Sequence, residues 1–147
     1  MNHRAPLEIP LATPQAKSLK ASPPPAFPVD TVGLVFELEE TDTLVTSTLA
    51  LRRNPEAGAS PGSPDRAPLV LDGREMALVS LLLDGTPLAS DRYRADGETL
   101  TLPDVPDAFT LEITTRIQPQ ENASLEGLYR SGGMFCTQCE AEGFRKI

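Results

Sequence analysis

From residue 29 onward, apolar and polar positions alternate in short runs. Val32, Leu34, Phe36 and Leu38 alternate with Gly33, Val35, Glu37 and Glu39. That period of two predicts a strand with one buried and one wet face. Thr41-Asp42 marks a turn, and Leu44 to Arg53 returns with Val45, Ser47, Leu49 and Leu51 on one face. A hairpin follows. Leu69-Val70-Leu71 and Ala77 to Leu83 predict two short strands split by Asp72-Gly73. Asp84-Gly85 is a two-residue hairpin signal, because both central positions of a type I′ turn take positive φ. Leu88 begins the return, Asp96-Gly97 marks another turn, and Thr99 to Leu102 is a brief strand stopped by Pro103 and Pro106. Phe109, Leu111, Ile113, Thr115 and Ile117 face away from Thr110, Glu112, Thr114 and Arg116, the cleanest alternation in the chain; Pro119 ends it. Leu125 to Tyr129 and Phe135 to Glu140 are the last two predicted strands.

No segment sustains apolar positions at helical spacing across three turns. Gly and Pro punctuate at intervals of roughly 8–12 residues, the spacing of an all-β sheet protein. The predicted fold is an antiparallel β-sandwich or saddle-like sheet. Fifteen prolines argue the same way, since each removes a backbone donor and clashes with a preceding helical turn. Seven of the fifteen fall in residues 1–28, including Pro23-Pro24-Pro25. That segment shows no periodicity and is expected to be a disordered, Pro-rich tail. The folded domain is expected to span 29–147. Residues 54–68, with four prolines (55, 61, 64 and 68), Gly58 and Gly62, are expected to form a surface loop longer than most connections. There is no internal repeat.

At 147 residues, with 39% apolar side chains, 5% aromatic and no Trp, the chain suffices for one domain with a modest Leu/Val core. The net charge is -8. It is unevenly placed: Arg4, Lys17 and Lys20 against Glu8 leave the tail about +2, so the body carries the acid excess. Nucleic-acid binding would require a basic patch, which this balance excludes. No apolar run approaches membrane-spanning length; the longest, Ala77 to Leu83, contains Ser80. No secretory core opens the chain, and two cysteines do not make a disulfide framework. The expected location is the cytoplasm, with neither membrane nor nucleic acid as partner.

The chemistry concentrates at the end of the chain. Cys136 and Cys139 have the spacing of a zinc half-site or thiol redox centre. A structural zinc site needs four ligands, and the one histidine, His3, lies in the tail. In a strand, positions three apart face opposite sides, about 10 Å from each other. Two reduced thiols packing as small hydrophobes is therefore the reading preferred over a metal or redox site. Gln138 and Glu140 are two apart, so in a strand they project from one face, in line with Cys136 and Glu142. A carboxylate beside an amide can receive a primary ammonium; a solvated strand face is the ordinary alternative for such a pattern.

The run Cys136-Thr137-Gln138-Cys139-Glu140-Ala141-Glu142-Gly143-Phe144-Arg145, with Asn122-Ala123-Ser124-Leu125-Glu126-Gly127-Leu128-Tyr129 upstream, resembles the N-terminal domain of M1-family zinc aminopeptidases of the bacterial aminopeptidase N type. The resemblance is strong over 120–147 and looser from residue 29. It implies that Glu140 helps bind the α-ammonium of a peptide substrate. Gln138 would contribute to the same amine site and to the first side-chain pocket. It further implies a partner, the M1 catalytic domain, in cis or as a separate chain. The family's His-Glu-x-x-His zinc motif, Gly-x-Met-x-Asn segment and catalytic tyrosine have no counterpart here, so zinc belongs to a catalytic domain outside this chain. On this resemblance the chain binds substrate without being catalytic alone, and its sheet lacks the family's last strands. A stand-alone β-sandwich interaction module, binding a partner by strand addition, is the alternative from another class.

Overall fold

A computed structural model describes residues 24–55, 57 and 67–139. Ten strands are present among them and no helix: β1 (Val29–Leu38), β2 (Thr43–Arg52), β3 (Leu69–Asp72), β4 (Ala77–Leu83), β5 (Thr86–Pro87), β6 (Arg94–Ala95), β7 (Thr99–Leu102), β8 (Ala108–Ile117), β9 (Gly127–Ser131) and β10 (Met134–Gln138). They form a five-stranded sheet in the order β1-β2-β8-β4-β5, a three-stranded sheet β3-β7-β6 and a two-stranded hairpin β10-β9. Every pairing is antiparallel. The protein is all-β, as the alternation predicts.

The centre of the large sheet is β8, in register with β2 over ten residues, from Thr43↔Ile117 to Arg52↔Ala108. Its inward row carries Phe109, Leu111, Ile113 and Ile117, all buried. Phe109, Leu111 and Ile113 share one buried cluster with Leu69 and Leu102 of the small sheet and with Leu51, Leu81 and Val105, whereas Ile117 packs with Val45 and Leu128. The turn expected at Asp84-Gly85 is there, with φ of 49° and 75°. Its Asp84 carboxylate accepts a hydrogen bond from the Thr110 amide at 2.8 Å, tying the turn to the central strand.

Three expectations are corrected. The tail expected over 1–28 does not extend to residue 28. Residues 1–23 lie outside the described residues, but Phe27 is buried in the main cluster, edge-on to Phe109 with ring centroids 6.1 Å apart. The Arg53 guanidinium sits 4.7 Å from the Phe27 ring centre, and the Asn54 amide donates to the Ala26 carbonyl at 2.9 Å. A composition-based reading misses this because one aromatic ring among prolines supplies no period, yet buries a large apolar area.

The second correction concerns β1. Its alternation predicts one buried face, but all ten residues are exposed. Its inward row continues the apolar face of β2 and β8 through Val32↔Leu49, Leu34↔Ser47 and Phe36↔Val45, but an open slot separates it from the small sheet. Periodicity reports which way side chains point, not whether anything lies opposite.

The third is one of limits. The final strand ends at Gln138 rather than running to Glu140, and its partner begins at Gly127 rather than Leu125. Leu125 has φ of 57°, which no strand accommodates. Most of the 54–68 loop and all of 140–147 lie outside the described residues.

Candidate functional site

The β9–β10 hairpin carries the candidate residues. Its turn is Gly132-Gly133, with φ of 57° and 86°, a pair of positive values that glycine adopts without steric cost. The ladder runs Met134↔Ser131, Phe135↔Arg130, Cys136↔Tyr129, Thr137↔Leu128 and Gln138↔Gly127. Strand alternation then sorts the side chains. Leu128, Arg130, Phe135 and Thr137 share one face. Tyr129, Cys136 and Gln138 share the other.

The first face docks the hairpin. Leu128 is buried with Val45 and Ile117, and Phe135 packs against them. The Arg130 guanidinium lies 5.6 Å from the Phe135 ring centre and donates to the Glu40 carbonyl at 3.2 Å. With that side held against the large sheet, the Tyr129–Cys136–Gln138 side faces away from it. Gln138 is exposed at the strand's end. Glu140, the second candidate, lies outside the described residues.

The loop entering the hairpin is stitched from within. Asn122 Nδ2 donates to the carbonyls of Glu126 (2.7 Å) and Leu128 (2.9 Å). Ser124 Oγ donates to Asn122 Oδ1 at 2.8 Å. The Asn-Ala-Ser run, which superficially reads as a glycosylation sequon, thus serves as a loop clasp. It positions Gly127, at φ 70°, directly across from Gln138. Leu125, held at positive φ on this loop and exposed, gives no period and is invisible to pattern reading.

Among the described residues no group of three His, Cys, Asp or Glu side chains could hold a metal ion. Cys136 is half-buried, Cys139 exposed, and both are free thiols. No helix of the described residues is long and apolar enough to cross a membrane. Concavities among the described residues flank the sheets. One is an apolar slot of ≈ 390 Å³ between β1 and the small sheet. Another is an open polar basin bordered by Asp42, Glu75, Arg116 and Asn122, on the docked side of the hairpin and away from Gln138.

No family model matches the chain. Individual relatives do. It is 47% identical over 135 residues to aminopeptidase N of Caulobacter vibrioides, covering 92% of this chain and 15% of that protein. It is 38% identical over 134 residues to aminopeptidase N of Escherichia coli, covering 91% of this chain and 14% of the relative. The chain is homologous to the N-terminal portion of M1 aminopeptidases. The fold agrees. A crystal structure of Legionella pneumophila aminopeptidase A, in complex with aspartic acid, superposes with a TM-score of 0.72 at 28% identity, over 88% of this chain and 15% of the other. An M1 zinc metallopeptidase from Deinococcus radiodurans matches in fold alone, with a TM-score of 0.51 at 16% identity over 72% of this chain and 24% of the other. The chain therefore spans about one seventh of the length of the curated relatives it matches.

Proposed function

We propose that this domain supplies the substrate-amine end of a zinc aminopeptidase cleft, with Gln138 and Glu140 as the receiving side chains. One observation carries the proposal: Gln138 stands exposed at the tip of β10, on the face turned away from the docked side of the hairpin. The 47% identity to an aminopeptidase N supports the same assignment. Glu140 follows two residues later. Its carboxylate would make charge-assisted hydrogen bonds to a peptide's α-ammonium, and the Gln138 carbonyl would accept another. Such a pair fixes where the chain terminus stops, and so which peptide bond meets the nucleophile.

The catalytic part lies elsewhere. Zinc and its activated water would be supplied by an M1 catalytic domain, either in the same polypeptide or as a separate chain. The domain alone binds and orients, and does not hydrolyse. Its place would be the cytoplasm, which suits the two free thiols Cys136 and Cys139.

The test joins the chain to a catalytic domain from a matched aminopeptidase N and measures kcat/KM on an aminoacyl-anilide. Glu140→Ala should lower it on the order of 10²-fold, the scale of losing a charged hydrogen bond at the reacting end. Gln138→Ala should cost less. Unchanged kinetics in both variants would overturn the assignment. Zinc-dependent turnover by the purified 147-residue chain alone would overturn its inactivity.

A further inference from the structure

β9 is hydrogen-bonded along both edges, and its outer edge is held by a loop rather than a strand. Backbone groups of successive residues in an antiparallel strand turn to opposite sides. The Glu126 and Leu128 carbonyls turn outward and accept from Asn122 Nδ2 at 2.7 and 2.9 Å. The Arg130 amide turns the same way and donates to the Pro119 carbonyl at 2.9 Å. By alternation Gly127, Tyr129 and Ser131 turn inward to β10, opposite Gln138, Cys136 and Met134. The loop over 119–122 therefore takes the place of a further strand beside β9.

The amide of Asn122 suits this task. One Nδ2 carries two protons, enough for two carbonyls, and the bond from Ser124 Oγ to Oδ1 at 2.8 Å fixes which way the amide faces. The Asn122 backbone N–H donates to the Pro119 carbonyl at 3.4 Å, which anchors the root of the side chain. The two clasped carbonyls flank Gly127, a buried residue at φ of 70°, with Leu125 just before it at 57°. Strand ends fray when nothing holds them, and this one follows an irregular turn. Leu128 and Phe135 press the hairpin onto the large sheet, but apolar packing is non-directional. The closing of the rung Gly127↔Gln138 is left to the directional bonds along β9.

We propose that Asn122 is a positioning residue of the substrate-amine site. By holding the outer edge of β9 it holds the Gly127↔Gln138 rung, and through that rung the receiving side chains of Gln138 and, two residues on, Glu140. The proposal rests on the amine-site reading of those two residues. Asn122 borders the polar basin on the docked side of the hairpin, so it acts from behind the strand.

The test uses the full 147-residue chain joined to an aminopeptidase N catalytic domain, with and without Asn122→Leu, which keeps the size of the side chain and removes its donors without adding charge. kcat/KM on an aminoacyl-anilide should fall on the order of tenfold, as expected when a positioning group is displaced. In the Gln138→Ala/Glu140→Ala background the same substitution should cost less than about twofold, because nothing is left to position. The Gln138 amide should exchange with solvent on the order of tenfold faster, while β8 amides stay unchanged. Should β8 amides also exchange faster in Asn122→Leu, Ser124→Ala carries the same comparison, with a loss of about threefold, the scale of one neutral hydrogen bond. A loss of equal size in both backgrounds overturns the proposal, since Asn122 would then serve the fold alone. So does unchanged kcat/KM in a chimera that loses activity on Glu140→Ala. If Gln138→Ala and Glu140→Ala themselves cost nothing, the amine-site reading has failed and the positioning role falls with it.

Discussion

Thr43 and Arg53, at the start of β2 and just past its end, show how differently two polar side chains are housed. Thr43 is fully buried, and its hydroxyl finds no hydrogen-bond partner among the described residues. An unpaired buried hydroxyl costs about 1–3 kcal/mol, so Thr43→Val should raise stability by about 1 kcal/mol, read as a higher urea midpoint at unchanged m-value. Arg53 is the opposite case. Its guanidinium donates to the Ala67 carbonyl at 2.9 Å, the Val105 carbonyl at 3.3 Å and the Asp107 carboxylate at 3.3 Å, while lying against Phe27. Three donors in one plane with a ring beneath is a task for a fork, not a point charge. Arg53→Lys should therefore lower stability by about 1–3 kcal/mol, in the same denaturation experiment, despite keeping the charge.

At the scale of the element, the Asp96 turn provides a pH handle. The Asp96 carboxylate accepts from the backbone amides of Thr99 and Glu98 and from the Thr99 hydroxyl, and these bonds, Thr99's amide foremost, hold its pKa below the ordinary value. A carboxyl depressed in the folded state stabilises the fold above its unfolded pKa, and that contribution is lost as pH falls through the folded value. Asp96→Asn should therefore flatten the acid side of the stability–pH curve below the usual carboxylate range, with little change in slope near neutrality, as followed by thermal melts across pH. Elements were the most legible level of this chain. The turns at Asp84-Gly85 and Asp96-Gly97 and the strands from Thr43 to Arg52 and from Ala108 to Ile117 are written in local chemistry, so alternation and turn residues suffice to find them. The burial of β1 was not legible, because it depends on what stands opposite. Nor was the strand limit at Gly127, set by Asn122 bonds that no period reveals. Of the candidate site, strand alternation set Gln138 on the same face as Cys136, while Glu140 lies outside the described residues.

For the molecule as a whole, the sheets explain why residues so far apart in sequence cooperate. The hairpin bearing Gln138 is seated through Leu128 and Phe135 on Val45 and Ile117, which belong to the same two strands that build the main core. The receiving end of the proposed cleft is thus rigidly referenced to the sheet, as a positioning site requires.

Phe27 has a practical consequence for anyone cutting or grafting this unit. Its ring packs in the interior against Phe109, so the boundary of the folded unit lies upstream of Phe27, not at the first strand. A version starting at Val29 should be less stable by about 3–5 kcal/mol, the scale of deleting a core phenylalanine, whereas one starting at Pro24 should retain the midpoint of a denaturant titration. Chimeras that swap this module between enzymes should carry the short proline-flanked lead-in with it.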